Sequence, residues 1–150
     1  MLKYYFVTAL PDEYQDDFKS AKDEWMKYAY LEFSETKDRP DSNILITWKD
    51  EGGAASHVGK LPSGRATEMD FGRSVPDIKR AFLHEFCHAL GFQHEHQRPD
   101  RASSRIQFCN KPRNESWTKN RFHLVNPETL AAASLLSDKE SIMMQVLLFL

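Results

Sequence analysis

Two histidines four residues apart, His84 and His88, fall on one face of a helix about one turn apart, the spacing at which two imidazoles can share one ion. Glu85 follows the first. Rotated about 100° from His84 around the helix, its carboxylate is set to reach a water on that ion as general base, not to act as a third ligand. Gly91 supplies a stop, because a residue without a Cβ can take the left-handed conformation at a helix C-terminus and turn His94 back toward the other rings. Three nitrogens plus one water make an open tetrahedral zinc site, the arrangement of a catalytic metal; structural zinc is normally closed by four protein ligands. Such a site lowers the pKa of water toward about 7 and polarises a carbonyl, while Glu85 takes the water's proton and hands it to a leaving amine. The alternative, ordinary helix and loop histidines, has to explain five fixed positions in the pattern HExxHxxGxxH.

This stretch resembles the metzincin zinc peptidases. Its continuation, His94-Glu95-His96-Gln97-Arg98-Pro99-Asp100-Arg101, is similar to the HExxRxDR continuation of the astacin-like branch of metallopeptidases. Ser141-Ile142-Met143-Met144 resembles the Met-turn, whose methionine, here Met143, lies as an apolar floor beneath zinc; plain core is the alternative for a methionine pair. The resemblance implies a zinc endopeptidase acting on peptide or protein substrates, a secreted setting, and a hydrogen bond from Glu95 to the mature N-terminus. It also implies a zincin-like α+β fold, a twisted, mostly mixed sheet with two long helices and a loop-rich C-terminal part. Two features depart from the family. Gln145 stands where a tyrosine usually follows the Met-turn, and an amide cannot supply an ionisable phenol. The chain also stops at Leu150, so residues 1–150 are expected to be one catalytic domain with an incomplete C-terminal subdomain. A zinc-binding but inactive relative that retains peptide binding is the competing reading.

The elements that must position these residues are partly legible. Residues 3 to 9 favour a strand. Pro11-Asp12-Glu13 opens a helix whose Tyr14, Phe18, Ala21, Trp25 and Tyr28 recur at three- and four-residue steps as one core-facing stripe. Asp38 to Asn43 is a turn, Ile44 to Trp48 a strand, and Gly52-Gly53 a break. Short strands flank Pro62-Ser63-Gly64 and end in Ala66 to Phe71. The family resemblance makes the strand before the zinc helix an exposed antiparallel edge that pairs with extended substrate; a covered strand is the alternative. Ser74 is placed to cap the next helix, with Pro76 and Asp77 in its first turn. A short helix is expected from Pro127 to Leu136.

Of the 150 residues, the 20 Lys and Arg nearly balance the 22 Asp and Glu, leaving a net charge of −2 without a basic cluster, so nucleic acid is not indicated. No run is apolar enough for a membrane span, and Pro11 arrives too early for a signal peptide. The chain is expected to be monomeric. Cys87, between the helix histidines, reads as a buried free thiol, with zinc ligation the alternative; Cys109 is the only other cysteine. His57, His96 and His123 lack ligand spacing. Asn114-Glu115-Ser116 is a glycosylation sequon, meaningful only after secretion.

Overall fold

Along Ile44 to Trp48 every second side chain is buried, the period-two pattern of a strand with one face packed against a core. The computed structural model describes residues 1–62, 64–97 and 143. The chain divides into two compact units, Met1–Phe92 and Gln93–Leu150. The first holds five strands and two helices in the order β1 (Leu2–Phe6), α1 (Gln15–Tyr28), β2 (Phe33–Glu35), β3 (Ile44–Lys49), β4 (Ala54–Ser56), β5 (Thr67–Gly72) and α2 (Ile78–Ala89). This is the expected α+β arrangement with a mixed sheet. The strands lie in the order β2-β1-β3-β5-β4, all neighbours parallel except the β4–β5 pair.

Register decides which residues meet the helices. Tyr4 stands opposite Ile44, Ile46 opposite Met69 and Trp48 opposite Phe71, so buried apolar side chains from three strands share one face. The other face carries Lys3, Lys49, Glu68 and Asp70, with Lys49 paired to Asp70. Phe18 of α1 links the layers. Its ring meets Tyr4 at 5.4 Å, Phe82 at 5.2 Å and Phe86 at 5.6 Å, joining the sheet to both helices. Phe82 is fully buried and also meets Phe71 at 4.6 Å. Phe82→Ala should therefore lower unfolding free energy by about 3–5 kcal/mol, the usual cost of removing a buried aromatic ring, read from the midpoint of urea unfolding.

Three expectations are corrected. The α1 stripe ends at Trp25: Tyr28 is 74% exposed, because the helix closes there and Ala29 is already extended. The strand before α2 is not the edge. β5 pairs on both sides, parallel to β3 and antiparallel to β4, and the three-residue β4 occupies the edge. That closure depends on Gly72, where a Cβ would fall 2.4 Å from the Gly52 carbonyl oxygen. Finally, α2 is capped by Asp77, not Ser74. The Asp77 carboxylate accepts from the Arg80 amide at 3.0 Å, a cap worth about 1 kcal/mol, and Pro76 lies outside the helix. No helix among the described residues is long and apolar enough to cross a membrane. The expected Pro127–Leu136 helix, Cys109, His123, Gln145 and the sequon lie outside the described residues.

Candidate metal centre

The sequence of α2 alternates large apolar residues that face the core with the candidate site residues. Ile78, Phe82 and Phe86 bury one stripe, and His84, Glu85 and His88 are carried by the same two turns. The rings of His84 and His88 stand perpendicular, their centroids 4.8 Å apart. The end of the helix follows from Gly91. Its φ of +100° is the left-handed conformation, its amide donates to the His88 carbonyl at 2.8 Å, and the Phe92 amide donates to the Cys87 carbonyl at 3.0 Å. These two bonds form a Schellman cap, the stop that the glycine foreshadows.

The cap also orients a ring. Having reversed, the chain brings the Phe92 carbonyl within 2.8 Å of His88 Nδ1, which assigns the proton to Nδ1 and leaves Nε2 as the nitrogen with a lone pair. Burial holds His88 below the ordinary imidazole value; the Phe92 carbonyl opposes this in part, and the neighbouring His84 adds to it. A neutral imidazole is the form that binds a metal.

Glu85 is 5% exposed, and its Oε2 is buried without a hydrogen-bond partner. Burial alone pushes its carboxyl up from the usual range to about 7. An unpartnered buried carboxylate costs free energy, so its presence in the same two turns of α2 as His84 and His88 fits a site meant to hold a cation and a water. Cys87 is buried, and burial pushes its thiol up to about 12, so it stays a protonated thiol, as expected, and a poor metal ligand.

In the second unit, His94 Nδ1 lies 3.3 Å from Gln97 Oε1, and Gln97 is itself buried. The Glu95 amide donates to the Met143 carbonyl at 3.1 Å, and Met143, in a turn, is 4% exposed. His57 is exposed. One contact has no counterpart in the sequence reading. The Gly59 amide donates to the His88 carbonyl at 2.8 Å, so that carbonyl accepts from outside the helix as well as from the Gly91 cap. The glycine itself is the only local signal, since its partner lies 29 residues on.

With this geometry in place, comparison with known proteins decides the family. The model of the Astacin peptidase family matches residues 1–146. The chain belongs to the astacin family. It is 37% identical over 83 residues to "Zinc metalloproteinase dpy-31" of Brugia malayi, covering 54% of this chain and 13% of that protein. It is 27% identical over 143 residues to "Dorsal-ventral patterning protein tolloid" of Drosophila melanogaster, covering 95% of this chain and again 13% of the relative. Among solved structures it superposes on High choriolytic enzyme 1, a hatching enzyme zinc-protease of Oryzias latipes. That match has a TM-score of 0.72 and 23% identity, covering 95% of this chain and 66% of the other. Myroilysin gives a TM-score of 0.67 at 25% identity, covering 95% and 76%. The astacin fold is thus the fold of this chain, and zinc is the family's metal. The chain spans only about an eighth of the length of these curated relatives.

Proposed function

We propose that this protein is a zinc endopeptidase in which His84, His88 and His94 hold the metal, Glu85 is the general base and Met143 is the methionine of the Met-turn, within a catalytic domain spanning residues 1–150. Membership of a peptidase family supports the reaction class. The observation that carries the residue assignment is Glu85, whose carboxylate is buried, unpartnered at Oε2 and adjacent to the first of two perpendicular imidazoles. When bound, zinc supplies an acidified water and a polarised carbonyl. Glu85 Oε2 removes the proton of the attacking water and delivers it to the leaving amine nitrogen, and a carboxyl whose pKa lies near 7 suits both transfers at neutral pH. His88, fixed through Nδ1 by the Phe92 carbonyl, presents one nitrogen in a set direction. β4, three residues long, is the edge strand among the described residues, where an extended peptide would add by backbone pairing.

The substrates are peptides or proteins, and membership of the family supports an extracellular setting for them. The intact Glu85 carboxylate favours hydrolysis over the inactive alternative, because a purely structural site has no use for a base there. Cleavage of an unfolded protein by the zinc-loaded chain should stop on adding a chelator and return when zinc is restored. Cleavage that persists in chelator with no zinc left on the chain would refute the reading.

A further inference from the structure

The last turn of α2 is tied to the sheet by a path that contains none of the candidate site residues except His88. Thr67 begins β5 on the inner face, opposite Ile44, and is 4% exposed. The strand network holds it: its amide donates to the Asn43 carbonyl at 2.8 Å. Its hydroxyl Oγ1 donates to the Gly59 carbonyl, also at 2.8 Å. On its other side the Gly59 peptide donates through its amide to the His88 carbonyl at 2.8 Å. Gly59 has a φ of +66°, in the left-handed region, which lets one residue turn its amide toward the helix and its carbonyl toward the strand. The flanking His57, Val58 and Lys60 are at least partly exposed, so little else buried in this loop fixes it.

We infer that Thr67 is a positioning residue for the metal-binding end of α2, acting through the Gly59 peptide on the backbone of His88. This rests on the proposed ligand set. The His88 carbonyl belongs to the turn that the Gly91 cap completes, and the His88 ring is aimed by Phe92 just beyond that cap. A shift of this turn changes the direction of Nε2 relative to His84. Groups that orient metal ligands typically contribute about 10–100-fold to metal affinity. Without the Thr67 hydroxyl, the Gly59 carbonyl loses its donor and the bond from Gly59 to His88 loses its anchor.

The test measures zinc affinity, by competition with a chromophoric chelator, for the full chain and for Thr67→Val, Thr67→Ser and Gly59→Pro. Visible spectra of the cobalt-substituted proteins are recorded alongside. Thr67→Val keeps the shape and removes the hydroxyl, and should bind zinc about 10-fold more weakly with altered cobalt bands. Thr67→Ser restores the hydroxyl and should return to within about twofold of the wild type. Gly59→Pro removes the amide donor and forbids the positive φ in a loop with exposed neighbours, and should reproduce the loss even should Thr67→Val fail to fold. Wild-type affinity in Thr67→Val or Gly59→Pro would overturn the inference, as would equal losses in Thr67→Val and Thr67→Ser, which would mean that any change at this buried position loosens the site whether or not the hydroxyl is kept. A wild type that takes up no zinc, or a His88→Ala variant that takes it up equally well, would instead overturn the ligand set.

Discussion

Glu85→Gln should lower kcat/KM on a protein substrate by about 10²–10⁴-fold, the usual contribution of a positioned general base, while zinc stays near one per chain. That loss corresponds to roughly 3–5.5 kcal/mol of transition-state stabilisation. Glutamine is nearly isosteric, so it keeps the packing of a residue that is only 5% exposed, and it removes the ability of the carboxylate to accept a proton. The measurement pairs steady-state cleavage with metal analysis of both proteins. An active Glu85→Gln variant with full zinc would remove the general-base assignment, and a variant that lost zinc as well would make Glu85 a determinant of binding.

His88→Ala should act on metal binding itself, since it removes both a proposed ligand and the ring that the Phe92 carbonyl holds at the end of α2. Structural zinc sites of four ligands bind with roughly 10–16 kcal/mol, so one ligand accounts for about 3–4 kcal/mol and its loss weakens zinc by about 10²–10³-fold. Cleavage at micromolar zinc should vanish. His84→Ala should behave in the same way, whereas His57→Ala, at an exposed position without ligand spacing, should bind zinc as the wild type does. Retained affinity in His88→Ala would move the metal away from α2. The two histidine variants also separate effects, because only His88→Ala removes the group held by the Phe92 carbonyl and so should also loosen the helix end.

What could be read from the chain without its structure was whatever the backbone decides locally. The four-residue spacing of His84 and His88, the stop at Gly91 and the alternation through Ile44 to Trp48 each depend on a helix turn or a pleat, and each recurs in the fold. The errors lie where partners are distant in sequence. Whether β5 is an edge depends on β4, and Ala54-Ala55-Ser56 has none of the branched or aromatic residues that announce a strand. Ser74 and Asp77 are both good caps, and the choice between them is made by where Ile78 meets the core, not by their own preferences. Tyr28 continues the apolar period but falls at the point where the helix ends. The tie from Thr67 through Gly59 to His88 joins three separate segments largely by backbone groups, and backbone groups leave no trace in residue identity.

The two α2 imidazoles are neighbours along the chain, while the sheet that supports them joins distant segments. The Thr8 hydroxyl reaches the Trp48 backbone across 40 residues, and β1 must find β3 past all of α1 and β2. Helical turns form within about a microsecond, and parallel pairing of remote strands is among the slower steps of folding. During refolding the two imidazoles therefore come to one helix face only transiently until the sheet that steadies α2 has formed. Metal added before the strands close meets a helix that the sheet does not yet hold, so the timing of its addition becomes a variable of refolding in its own right.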